Sequence, residues 1–232
     1  HNTVCVDGIS SYPVMKSNHS FDLLSCFPAS AEPGKAFTSV TYSNLYFREP
    51  ESRADQTRMM SIVTTGAETG YYVDVFRSRK EKGGDKMHDY FYHNLGQTLT
   101  LTAADGSDLN LQPTEELAFA GAHLYAYSYL YDKKVAATNK DVKATFTIDM
   151  KDKDGDDIYM NLWMKGELDR EVFTALAPMT EGLSRTPNMP YNIKEQPTLT
   201  FVARQHGEAW NRPFVSIYEP STKKEPSAIQ SV

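Results

Sequence analysis

The sequence predicts an all-β fold, a large antiparallel β-sandwich or supersandwich of stacked sheets. Three observations predict it: strand-length runs broken by turn residues, an aromatic content weighted toward Tyr (14) and Phe (11) over Trp (2), and period-two alternation where the runs are clearest. A length of 232 residues with 40% hydrophobic content is enough to bury a full core and argues against a disordered chain. Residues 1–220 read as one domain, and 221–232 read as a polar tail that is frayed or forms a loose cover strand.

The strand-like runs follow one another along the whole chain. They are Thr3 to Val6, Ala36 to Phe47, Arg58 to Thr65, Tyr71 to Arg77, Tyr90 to Asn94, Thr98 to Thr102, Ala144 to Met150, Ile158 to Lys165, Thr198 to Ala203 and Phe214 to Tyr218. Gly83-Gly84 and Asp105-Gly106 mark breaks between them. In VKATFTIDM, Val142, Ala144, Phe146, Ile148 and Met150 share one face and Lys143, Thr145, Thr147 and Asp149 the other, so one side is expected to be buried. The following DKDGDD (152–157) resembles a calcium loop only superficially, because the EF-hand spacing and distal Glu are missing; Asp154-Gly155 is expected to be a hairpin turn. Glu115 to Tyr131 reads as helix by composition or as strand by the alternation of Tyr125, Tyr127, Tyr129 and Tyr131, and stays open. Ala177 to Pro197, with four prolines, reads as a long irregular loop lying on the sheets.

Charge and motifs exclude several function classes. Twenty-four Lys plus Arg against thirty Asp plus Glu give −6, which leaves no basic surplus for nucleic acid. No apolar run approaches the ~20 residues of a membrane helix. There is no HExxH, GxSxG, Walker loop or GxGxxG. Cys5 and Cys26 lack CxxC spacing; a single disulfide and two thiols in separate strands both fit. The chain opens on His1 rather than Met and is strand-like from the outset, so a larger polypeptide that has lost its N-terminal part is expected.

Two segments carry candidate chemistry. HNTVCVDG places His1 ahead of a strand that ends in an Asp7-Gly8 turn; its plainest reading is an edge strand with a surface histidine. In GGDKMHDYFYHNLGQ (83–97), His88, Tyr90 and Tyr92 share one strand parity and Asp89, Phe91 and His93 the other. The first set would give a face suited to hydrogen bonding and stacking on sugars; alternatively, His88 and Asp89 brace neighbouring strands.

Together HNTVCVDG, YYVDVFRSRKEKGGDKMHDYFYHNLG (71–96) and PFVSIYEP (213–220) resemble, in the same order and across nearly the whole chain, the C-terminal β domain of the heparinase II/III-like polysaccharide lyases, a group that includes alginate lyases. The resemblance implies an N-terminal α/α toroid followed by a β supersandwich, with β-elimination of uronic-acid polysaccharides in the cleft between them. In that family the toroid supplies Asn, His and Tyr, so no catalytic residue transfers to this chain, and the isolated 232 residues are expected to be inactive. It further implies that His1 completes a structural metal site, usually zinc, with ligands from upstream strands. His88, Tyr90 and His93 are the candidate substrate-binding positions, and the resemblance makes the block that holds His88 and His93 either structural or substrate-adjacent. The implied partner is an acidic polysaccharide, heparin-like or alginate, in the periplasm or outside the cell, with no nucleic acid and no membrane. Two rivals remain: a non-catalytic carbohydrate-binding or structural module, and a glycoside hydrolase or epimerase on a similar scaffold.

Overall fold

The computed structural model describes residues 2–9, 20–28, 40–117, 125–150, 156–179 and 196–232. Nearly all regular structure within them is antiparallel β, as the composition requires. A six-stranded sheet has the order β1 (Val4–Val6), β6 (Met87–Asn94), β13 (Thr198–His206), β12 (Arg170–Ala177), β9 (Tyr131–Thr138) and β8 (Gln112–Pro113). An eight-stranded sheet has the order β2 (Asp22–Phe27), β3 (Val40–Glu49), β4 (Ala54–Thr64), β5 (Gly70–Lys80), β14 (Ala209–Thr222), β11 (Ile158–Met164), β10 (Val142–Ile148) and β7 (Thr98–Ala103).

The sheets stack because each has one apolar face, and those faces meet. Val142, Ala144 and Phe146 are buried as the alternation predicts, opposite Met164, Leu162 and Met160 on β11. From the other sheet come Val4, Tyr90, Ala136, Val172, Phe201 and Ala203, in one core with Phe76, Leu162, Phe214 and Tyr218. Aromatic rings interlock across the layers, with Tyr90 edge-on to Phe76 at 6.4 Å and Tyr92 edge-on to Phe146 at 5.4 Å.

A second, smaller core lies on the outward face of the six-stranded sheet. Cys5, Phe91, Val202, Phe173 and Ala175 pack there under Leu117, Tyr127 and Leu130. The six-stranded sheet is therefore buried on both faces, which explains why every residue of β13 from Leu199 to Gln205 is buried. The covering chain includes the segment left open between helix and strand. Its described residues include one helical turn, α1 (Tyr125–Ser128), before β9 begins at Tyr131, and the alternating tyrosines divide: Tyr127 is buried, while Tyr129 and Tyr131 are exposed.

Several expectations are refined. β2, β8, β9 and β12 were not anticipated, and β4, β5, β6, β13 and β14 are longer than the runs suggested. The tail does not begin free at Ser221, since β14 continues to Thr222 and the Glu219 carboxylate accepts hydrogen bonds from Ser227 Oγ and, at 2.8 Å, from the Ala228 amide. Cys5 is buried in β1 and Cys26 half-buried in β2, on different sheets. The Asp154-Gly155 turn falls outside the described residues, as do residues 180–195 of the proline-rich loop; β10 and β11 pair in hairpin register up to Ile148 and Ile158.

Candidate functional site

β6 is the strand that carries the sequence-derived site, and its alternation sorts those residues to opposite sides of the six-stranded sheet. His88, Tyr90 and Tyr92 do share a face, but it is the inward one: His88 is fully buried and Tyr90 1% exposed. His88 Nε2 lies 3.1 Å from Asp85 Oδ2, while its Nδ1 has no partner. Burial holds its pKa below the ordinary histidine value despite Asp85. The Tyr90 hydroxyl donates to Asp74 Oδ2 at 2.8 Å and touches the Tyr218 hydroxyl. The Tyr90 contacts join the two sheets, whereas the His88 contact closes locally on the turn that precedes β6. His1 lies outside the described residues.

His93 points outward and is only partly covered. Its Nδ1 is 2.8 Å from Thr200 Oγ1, its amide donates to Asn2 Oδ1 at 2.7 Å, and its ring stacks on Phe91 at 5.9 Å. Burial pushes its pKa down to about 4. The unfolded chain takes up this proton near the ordinary value of 6.5, long before the folded chain does. His93 should therefore subtract stability progressively as pH falls from about 6.5 to about 4 and change little above or below that window. His88, shifted in the same direction, adds to it. Denaturant unfolding across this window should show a shallower pH dependence for His93→Gln than for the wild type; equal slopes would refute the assignment.

The outward face holds a polar network that no single sequence motif announced. Arg204 on β13 grips Asp89 on β6 with two hydrogen bonds, Nε to Oδ1 at 2.7 Å and Nη2 to Oδ2 at 3.0 Å. Its Nη1 reaches Glu116 at 2.8 Å, and the Tyr127 hydroxyl donates to Asp89 at 2.7 Å. Burial opposes the charge on Arg204, but the Asp89 hydrogen bonds outweigh it and raise its pKa above the ordinary value. On β12, Glu171 lies 3.9 Å from Arg204 and holds His206 Nε2 at 3.0 Å. His206 is half exposed.

This network opens into a cleft of ≈ 500 Å³ lined by Thr138, Asn139, Asp169, Arg170, Glu171 and His206. The cleft is shaped by the β9–β10 and β11–β12 turns, which meet so closely at Gly166 that a Cβ there would stand 2.3 Å from the Asn139 carbonyl oxygen. Arg170 is buried, and desolvation pulls its pKa down to about 10. It bonds to Gln205 Oε1 and the Lys165 carbonyl rather than to a carboxylate. The arrangement thus presents an imidazole fixed by a carboxylate, a pair able to accept or return a proton at a ligand. Among the described residues no cluster of three or more His, Cys, Asp or Glu is placed to hold a metal ion. No helix among them is long and apolar enough to cross a membrane.

No family model matches the chain. It is 33% identical over 195 residues to an endo-acting ulvan lyase of Formosa agariphila, a match that covers 82% of this chain. The chain is related to a polysaccharide lyase. It spans 22% of the length of that relative.

Proposed function

We propose that these residues are the β domain of a polysaccharide lyase of the heparinase II/III-like kind, which cleaves a uronic-acid-containing polysaccharide by β-elimination. The observation that carries the lyase part of this reading is the 33% identity to the ulvan lyase, which runs over most of the chain, and the heparinase II/III-like kind rests on the sequence resemblance alone. Such a reaction removes the C5 proton of a uronate with a base, stabilises the resulting charge at the carboxylate, and protonates the leaving oxygen. An N-terminal toroid outside these 232 residues supplies the principal base and acid. The β domain supplies one wall of the cleft, through its outward face with His93, His206 and Glu171. Zinc held by His1 belongs to the same reading, with the further ligands that the resemblance assigns to upstream strands, because one imidazole cannot hold the ion by itself. Such an enzyme works in the periplasm or outside the cell, where its polymeric substrate is found.

The test compares two proteins on uronate polymers: the polypeptide as its gene encodes it, and residues 1–232 alone. The first is expected to release unsaturated uronate, read by its ultraviolet absorbance, and the second to release none. Product from the isolated chain would overturn the division of labour, and no product from the complete polypeptide on any uronate polymer would overturn the lyase reading.

A further inference from the structure

At the end of the sandwich where β5 turns into β6, the chain carries RSRKEKGGDK, with five cations (Arg77, Arg79, Lys80, Lys82 and Lys86) against two acids. In a protein of net charge −6 this is a local reversal of sign. The acids are already committed. Glu81 pairs with Arg48 at 3.0 Å, and Asp85 accepts the Lys80 amide and faces His88. Lys80 is neutralised by Asp7 at 2.6 Å. Among the described residues no carboxylate forms an ion pair with Arg79, Lys82 or Lys86, so none of them compensates these three cations.

The β13–β14 turn comes down beside this strip and builds a wall. Glu208 closes the turn by accepting the amides of Trp210 and Asn211, and those hydrogen bonds outweigh burial and hold its pKa below the ordinary carboxylate range. The Trp210 carbonyl is in turn held by Arg77 Nη1. The backbone that carries the indole is thereby held, and the Arg79 guanidinium carbon lies over the ring, 4.2 Å from its centroid. Between the two turns is a cavity of ≈ 360 Å³ lined by Arg79, Lys80, Gly83, Gly84, Asp85, Glu208 and Asn211. Gly83 and Gly84, at φ of +69° and +75°, have open space where a Cβ would project, so that side of the cavity is clear.

We propose that this cavity is a subsite for an acidic sugar, in which Arg79 binds a carboxylate or sulfate-ester group of a glycan through its planar fork. A guanidinium held over an indole gives up part of its rotamer freedom before any ligand arrives, and its N–H groups, none of which is bonded to a carboxylate among the described residues, remain available to an anion. That is the arrangement which favours a bidentate anion over a lone point charge. Lys82 and Lys86 add long-range attraction, and the exposed Asn211 amide offers a neutral hydrogen-bonding group for a ring hydroxyl. The choice of a sugar as bearer of the anion rests on the lyase reading; the anion-binding geometry stands apart from it.

Binding to the 232-residue chain is measured by calorimetry at low and moderate salt, with three probes: an oligogalacturonate, a dextran sulfate and a neutral maltohexaose. The two anionic glycans are expected to bind with salt-sensitive affinity and the neutral one not to bind. Arg79→Gln should weaken anionic binding by at least about tenfold with the thermal midpoint unchanged, Arg79→Lys should recover only part of it, and Trp210→Leu should weaken it as well by releasing the fork. Equal binding of wild type and Arg79→Gln, or equal binding of the neutral glycan, would overturn the proposal. That failure is separate from failure of the lyase reading, which is judged by unsaturated product from the complete polypeptide and not by affinity at Arg79.

Discussion

Replacing Arg204 with Leu should destabilise the protein by about 3–5 kcal/mol in denaturant unfolding, because it strands a charge that has no access to water. Asp89 is fully buried and takes two of its hydrogen bonds from Arg204. Without them the carboxylate keeps the Tyr127 hydroxyl as its principal side-chain donor. Glu116, the other acid bonded to Arg204, is about half exposed and can be rehydrated, so it contributes little to the loss. The loss thus belongs mainly to the stranded carboxylate, and a second variant separates it from the worth of the pair. Replacing both Asp89 and Arg204 with Leu removes the two charges together and should recover much of the single-variant loss. Arg204→Lys should fall between, since an ammonium cannot reproduce the fork that meets both Asp89 oxygens. A single variant within about 0.5 kcal/mol of wild type would show that the pair is solvated in solution.

Why the sequence disclosed the sandwich but not this pair follows from what each signal measures. In β10 one face is buried and the other solvated, so Val142, Ala144 and Phe146 alternate with polar residues and the period is visible. β13 and β12 are covered on both faces, and there alternation disappears: TLTFVARQH and REVFTALA show an apolar run with a charged residue set into it. The first of these matches the strand pattern only up to Ala203, and the second does not match it. An arginine inside a doubly covered strand is itself a signal, because such a charge needs a buried partner, and Asp89 at the matching register of β6 is the partner found. β9 was missed for a related reason, since YDKKVAAT opens with charges that suit its position beside the two-residue β8 near the sheet's edge.

The candidate site was legible in parity and not in direction. The division of β6 into His88, Tyr90 and Tyr92 against Asp89, Phe91 and His93 is correct, and one register fixes all six. Which set faces a ligand depends on what packs on each side of the sheet, and no local pattern states that. The His206–Glu171 pair is formed across β13 and β12, 35 residues apart in the chain, so spacing rules had no purchase on it. The Arg79–Trp210 contact similarly joins the end of β5 to the start of β14, strands that are paired only in the folded sandwich.

The core has a second point at which one substitution should have a large effect, and it reaches the outward face. Asp74 on β5 is fully buried and is held by Arg58 through two bonds of 3.0 and 2.7 Å, by the Tyr90 hydroxyl at 2.8 Å and by the Tyr218 hydroxyl at 3.5 Å. Burial and the Asp74 charge together keep Tyr218 protonated, with its pKa well above the ordinary tyrosine value. Asp74→Ala should cost about 3–5 kcal/mol, because it leaves a largely covered guanidinium and a buried hydroxyl without their acceptor. Tyr218→Phe, which removes a 3.5 Å donor to Asp74 and the hydroxyl that touches Tyr90 but leaves Asp74 its Arg58 and Tyr90 bonds, should cost about 1 kcal/mol. The effect should also travel. Arg58 Nη1 donates to the Asn2 carbonyl at 3.1 Å, and Asn2 Oδ1 accepts the His93 amide, so the buried carboxylate fixes the residue that caps His93. Amide exchange under native conditions should therefore accelerate at His93 in Asp74→Ala and stay near wild type there in Tyr218→Phe. If exchange at His93 is unchanged in both, Asp74 is a core brace only, and the outward corner is held by Thr200 and Phe91 without help from the interior.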